Sequence, residues 1–436
     1  MGGRGDRLED MEAFLQWIII LIVVIMLSRI AALLSRWFGL PAFTIQLPMG
    51  ILLGPSWLNL LGSPIIFGTW GSVSPNFLHS ALKILAEIGL IQLMFLGGLE
   101  VDWRELKKIL KLPFSVGVWG FVLTAVSVAV ITRVFVDRWA EAMAVSAIVS
   151  ATSFGISIYY FSEMKVLGSR MAIMVSGIAV LSGLLAILLM IGSQATNYAM
   201  IYGTSRMAIA VSWFLGKLVM FFAVAYFLTS RFLKLTARTG FEKRPRQMLI
   251  GYLLLVASLY AWGALHFGSF AAVGIASLGG ALLGMSGFGL KEKVLKGFGS
   301  SFVSLPMGVL FVVLGMEANL KEAGGHIIFL VVLFLAIVGA KLIGSWIAIH
   351  KDFGSVRERA LIMMGILPQG EMGILIAAYL FSRGLVNPSS FNAAIIVVMM
   401  LTVFVPIAMK VVQIKFNIQL NEVAPFTGGK ERDRWQ

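Results

Sequence analysis

The sequence predicts an all-α polytopic membrane protein of about thirteen transmembrane helices, arranged as an inverted repeat with two broken, crossing helices. Three observations predict it. Of 436 residues, 59% are hydrophobic and only 13% charged, with a mean hydropathy of +0.92; soluble domains carry roughly 25% charge. The apolar residues fall in runs of roughly 20, the length that crosses the hydrocarbon core. Short sequences of the first half also return, in order, in the second.

Taken along the chain, the spans lie near 13–34, 40–61, 77–99, 112–134, 139–161, 170–193, 209–231, 247–267, 268–286, 299–317, 325–349, 359–382 and 389–412. Charged residues from Arg4 to Glu12 precede the first run, and no small-residue cleavage site follows it, so it reads as a true span and not as a signal. Loops after the odd spans 1 to 11, together with the tail 413–436 and the basic residues at the adjoining span ends (Arg170, Arg231, Arg359 and Lys410), hold 24 Lys and Arg, against 7 in the N-terminus and the even loops with Arg133. Basic residues stay on the cytoplasmic side. The N-terminus is therefore expected outside and the tail inside, in the cell membrane. The net charge of +14 belongs to this asymmetry and predicts no nucleic-acid partner.

GILLGPS at 50–56 returns as GALLGMS at 280–286, and GLEVDWREL at 98–106 as GMEANLKEA at 315–323, an offset of 217. The same offset sets Ala151-Thr152-Ser153 opposite Pro368-Gln369-Gly370. Spans 1–6 thus correspond to spans 8–13, with span 7 as linker. A shift of seven spans reverses direction through the bilayer, the inverted repeat from which many secondary transporters build a midplane site.

Spans 5 and 12 carry SATSFGIS (150–157) and GILPQGEMGI (365–374) at mid-depth. Gly155, Pro368 and Gly370 mark where those helices break, since proline removes a backbone donor and glycine loosens the chain. Half-helix ends then point at the membrane centre, where they can hold ions. The alternative is a pair of kinked helices packed on small residues.

An ionisable group inside a membrane is a functional candidate by default. Three stand out: Glu87 in span 3, Lys341 in span 11 and Glu371 just after the span 12 break. Each has a structural alternative. Lys83 lies one turn before Glu87 and can pair with it, Lys341 can neutralise a half-helix C-terminus, and Glu371 can accept bonds from freed amides. Lys217, near the end of span 7, can snorkel to the headgroups. With no Cys, thiolate metal sites are excluded; four His without a metal-like His/carboxylate cluster do not predict a metalloenzyme, and no cofactor is expected. No G-x-S-x-G elbow or Walker A loop occurs, so an enzyme is not predicted.

The stretches LPAFTIQLPMGILLGPS (40–56), LAEIGLIQLMFLGGLEVD (85–102), ATSFGISIYYFSEMKVL (151–167), FVSLPMGVLFVVLGMEANL (302–320), AKLIGSWIA (340–348) and ILPQGEMGILIA (366–377) resemble the monovalent cation:proton antiporter-2 family. The resemblance implies a homodimer with spans 1–3 and 8–10 as scaffold and spans 4–6 and 11–13 as mobile core. It also implies elevator-type exchange of Na⁺ or K⁺ for protons across the bilayer. The nucleotide-sensing domain of some relatives is not expected in the short tail.

The family's acidic pair in span 6 is replaced here by Ser182-Gly183, its Pro-Arg-Gly-Glu by Pro368-Gln369-Gly370-Glu371, and its Gly-Glu in span 2 by Ile45-Gln46. A hydroxyl does not titrate near neutrality, so exchange requires a relocated acid, for which Glu371 and then Glu87 are the candidates. Thr152, Ser153, Ser182 and Gln369 supply neutral oxygens for Na⁺ or K⁺, and Lys341 is a candidate proton carrier. Two other readings remain open at this point. One is an anion or organic-acid transporter centred on Lys341; the other is a transport-inactive relative.

Overall fold

The computed structural model describes residues 2–59, 75–100, 111–163, 169–203, 207–238, 305–323, 327–349 and 356–415, with isolated positions between 248 and 258. Spans 8 and 9 lie outside the described residues. Every regular element described is a helix. They are α1 (Gly2–Trp37), α2 (Phe43–Leu53), α3 (Pro75–Glu100), α4 (Lys111–Phe135), α5 (Trp139–Ser150), α6 (Phe154–Glu163) and α7 (Arg170–Tyr202). They continue with α8 (Met207–Arg238), α9 (Leu305–Glu317), α10 (Leu320–Ala323), α11 (Ile327–Ile349), α12 (Val356–Gly365), α13 (Glu371–Ser382) and α14 (Pro388–Lys415). Six stretches among the described residues are long and apolar enough to cross a membrane: Ile18–Trp37, Pro113–Phe135, Trp139–Ser157, Met171–Tyr202, Ile327–Ile349 and Pro388–Val412.

Helix ends follow local chemistry more closely than hydropathy does. The second apolar run, expected to 61, stops as a helix at Leu53. Gly54 turns to extended geometry there while its N–H still bonds the Gly50 carbonyl at 2.9 Å, and Pro55 cannot continue the ladder. The sixth run extends past 193 to Tyr202, where Gly203 turns to φ 89° and its N–H bonds the Ala199 carbonyl at 3.0 Å, ending α7.

The chain divides into two compact units. The first comprises residues 1–92 and 298–325. In it α2 and α9 meet backbone to backbone: a Cβ on Gly50 would strike the Val312 carbonyl, and one on Gly315 the Leu47 carbonyl. Small residues are what let helices approach this closely where lipid supplies no hydrophobic drive. Phe43 and Phe311 flank the contact with ring centroids 5.4 Å apart. Gln46 Nε2 donates to Ser28 Oγ at 3.1 Å, and Ser56 Oγ donates to the Ala318 carbonyl at 2.8 Å, so these two side chains are paired within the unit.

The second unit comprises residues 93–297 and 326–436. Its centre is α5 with the start of α6, a stretch 94% buried although its composition would suit a lipid-facing helix. Ala140, Ala142, Ala144 and Ala147 make that burial feasible, since each presents only a methyl to its neighbours. α4 and α11 pack just as closely, with Gly344 against the Trp119 carbonyl and Gly120. A core of Val116, Phe161, Met174, Ile178, Leu367 and Met409 joins α4, α6, α7, α14 and the residues after α12.

Candidate functional site

The fifth and twelfth apolar runs are both interrupted inside the second unit, and the interruptions touch. Between α5 and α6 the chain is extended, with Ala151 at φ −63°, ψ 138°. Between α12 and α13, residues 367–370 are also without regular structure. Ser153 N–H donates to the Pro368 carbonyl at 2.8 Å, and Thr152 Oγ1 donates to the Ile366 carbonyl at 3.0 Å. The freed backbone groups of one break thus satisfy those of the other, as irregular backbone at membrane depth requires. Ser157 adds a bond to the Gly365 carbonyl at 3.2 Å.

Lys341 of α11 reaches this crossing. It is 2% exposed, and its Nζ donates to Thr152 Oγ1 at 3.2 Å and to the carbonyls of Ile366 at 3.2 Å and Ala151 at 3.4 Å. Ala151 caps the C-terminus of α5, and Ile366 follows the last residue of α12. The ammonium therefore sits where two half-helices present the negative ends of their dipoles. Its three donors meet three neutral oxygens, of the kind that also suit a hard monovalent cation. The structural alternative for Lys341 and a functional role are thus the same geometry.

Ser182, at the position of the expected acid, does not stand free. Its Oγ accepts the Thr152 N–H at 3.0 Å and donates to the Ala179 carbonyl at 3.0 Å, tying α7 to the first break. Gly183 beside it faces α13, where a Cβ would come 3.3 Å from Met372 Cε. Ser153 Oγ accepts the Ile156 N–H at 3.0 Å and so caps α6. Gln369 is fully buried. Its Nε2 bonds the Val149 carbonyl, Thr402 bonds its carbonyl, and its Oε1 has no hydrogen-bond partner among the described residues. The same holds for the buried Ser150 Oγ.

The breaks themselves sit slightly off the glycine expected to mark the first one. Gly155 lies in the first turn of α6, past the extended residues, whereas Pro368 and Gly370 lie within the second break. Gly370 is in extended backbone, so its requirement is steric: a Cβ there would strike Ile156 Cδ1. Glu371 is the first residue of α13; its side chain lies outside the described residues. Glu87 is on α3 in the first unit, exposed, with Lys83 and Glu317 in electrostatic range.

Of the residues singled out in the sequence, the fold brings Lys341, Thr152, Ser153, Ser182 and Gln369 together. The Ala151 and Ile366 carbonyls and Thr402 join them without having been singled out. Main-chain oxygens have no residue signature; only the Pro-x-Gly interruption hinted that carbonyls would be freed there. No group of three or more His, Cys, Asp or Glu capable of holding a metal occurs among the described residues.

A sequence profile described as "Sodium/hydrogen exchanger, transmembrane" matches residues 20–412. The chain is 25% identical over 405 residues to a Na(+)/H(+) antiporter of Enterococcus hirae, covering 91% of this chain and 98% of the relative. It is also 25% identical over 397 residues to the Na(+)/H(+)-K(+) antiporter GerN of Bacillus cereus, covering 89% and 94%. In fold it is similar to the sodium proton antiporter MjNhaP1 of Methanocaldococcus jannaschii, with a TM-score of 0.69, 15% identity, and 94% and 99% of the two chains covered.

Proposed function

The chain belongs to the sodium/hydrogen exchanger family, and from that premise we propose that it exchanges Na⁺ or K⁺ for protons across the cell membrane at the crossing of its two broken helices. The observation that carries this reading is the fully buried Lys341 ammonium held by three neutral oxygens at the ends of α5 and α12. A cation entering among these oxygens is repelled by the ammonium at close range, strongly so in a poorly polarisable interior. Cation occupancy and Lys341 protonation then exclude one another, which is the coupling that exchange requires. Glu371, opening α13 beside the second break, is the relocated acid that completes the site. Gln369 Oε1 and Ser150 Oγ are further neutral ligands within the same buried region.

An elevator-type movement is supported by the division of the chain into two compact units, with the whole crossing inside the second. The inverted repeat is supported by the meeting of its paired segments, Ser153 bonding Pro368. The anion reading is not favoured, because the donors of Lys341 are taken up by carbonyl and hydroxyl oxygens at negative helix ends.

The test is a proteoliposome assay with an inside-acid gradient and a fluorescent pH reporter, adding Na⁺, K⁺ and Li⁺ separately. Wild-type protein is expected to release protons on cation addition, and Glu371→Gln and Lys341→Ala to lose that response. Silence towards every cation from demonstrably folded wild-type protein would overturn the proposal. Exchange retained in Glu371→Gln would remove Glu371 as the acid.

A further inference from the structure

A second site lies away from the crossing, where the last turns of α7, the first turns of α8 and the end of α13 enclose a cavity of about 640 Å³. That volume is within the range of small-molecule pockets, roughly 300–1,000 Å³. Its mouth is apolar and aromatic: Ile209 is 71% exposed and Trp213 66%, with Tyr198 opposite them. In a membrane-spanning chain such surface faces acyl tails, and aromatic residues near helix ends mark the headgroup level.

The polar side chains of the cavity wall are one cation, Arg383, the amides Gln194 and Asn197, and the Tyr198 hydroxyl. Arg383 stacks 5.3 Å from the centroid of the Tyr379 ring. Lys217 does not line the wall but stacks on the wall residue Trp213, 5.1 Å from its ring centroid. Gln194 spends its Oε1 on the Tyr379 hydroxyl at 3.0 Å, which leaves a buried Nε2 with no partner among the described residues. Among the described residues, the wall contains no Asp or Glu. Two cations and an unspent amide donor beside an apolar mouth suit a ligand that is anionic at one end and aliphatic at the other.

We propose that this cavity binds the headgroup of an anionic phospholipid, its phosphate between Arg383, Lys217 and Gln194 Nε2 and its first methylenes against Ile209 and Trp213. A free phosphate would meet the same donors but leave the apolar mouth unfilled.

The test is native mass spectrometry of the delipidated full-length protein titrated with phosphatidylglycerol or phosphatidylcholine of matched chains. Wild type is expected to retain phosphatidylglycerol preferentially. The Arg383→Gln and Lys217→Gln variants should each lose about five-fold of that retention, the worth of one basic residue at an anionic headgroup, and Arg383→Lys should keep most of it. Brominated phosphatidylglycerol should quench wild-type tryptophan fluorescence more than that of Trp213→Phe, a readout that a misfolded Arg383 variant does not affect. Equal retention of the two lipids, or equal quenching with and without Trp213, would overturn the proposal. So would displacement of phosphatidylglycerol by an equal concentration of glycerol phosphate, which would mark a site for soluble anions.

Discussion

Lys341 carries a charge into a span whose other residues are apolar or small, and it was legible in the sequence for that reason alone. What the sequence could not supply is the identity of its partners, two of which are peptide carbonyls. Thr152 is the only side chain among the three, and Thr152→Val removes two bonds, the one donated to Ile366 and the one accepted from Lys341, while keeping shape. We expect that variant to lose roughly 2 kcal/mol of stability, about 1 kcal/mol for each internal hydrogen bond, read as a fall in thermal midpoint in detergent, with a larger change in the cation dependence of exchange. A fall in stability with unaltered cation dependence would reduce Thr152 to a structural tie. Ser182→Asp sets a carboxylate beside the Thr152 amide, whose N–H the hydroxyl now accepts at 3.0 Å. Cation binding by this variant should strengthen and become pH-dependent, because a carboxylate titrates and a hydroxyl does not. Calorimetry of Na⁺ binding at several pH values checks it, and a pH-independent result identical to wild type would count against placing the missing acid at 182.

At the scale of elements, both interruptions were legible from Pro368, Gly370 and the run of small hydroxyl residues after Ser150. Their exact placement was not, since Gly155 proved to be inside α6. Glycine marks a place where the chain can yield, and the hydrogen bonds from Ser153 and Thr152 decide where it does. The ends of α2 and α7 differ from the hydropathy runs for a similar reason: capping groups end a helix, and hydropathy does not register them. Gly373 shows what close packing demands of α13, since a Cβ there would lie 2.6 Å from the Ile148 carbonyl of α5. Gly373→Leu should cost about 1–3 kcal/mol by overpacking, with a lowered thermal midpoint and loss of exchange. Gly339→Ala, where a Cβ meets nothing within 4 Å, should leave both unchanged and serves as its control. A stable, active Gly373→Leu protein would show that α5 and α13 separate more readily than the structure implies.

For the molecule as a whole, membrane residence was plain from composition, because no other environment accommodates so much apolar surface. The near-total burial of α5 was not, since a central helix and a lipid-facing one share the same hydropathy. The chain contains no Cys, so a single introduced thiol reports without background. In Ser150→Cys, a membrane-impermeant maleimide should label from one side of the bilayer with Na⁺ bound and from the other when the proton gradient is reversed. Labelling from one side under every condition would count against movement of the second unit as a body. The crossing has a further consequence for how such a protein can vary. Peptide oxygens are the same whatever residue bears them, so substitutions at 151 or 366 that keep the path of the chain leave the oxygens around Lys341 intact. That surrounding is inscribed in a curve rather than in an alphabet, and two proteins can spell the region differently yet present the same oxygens.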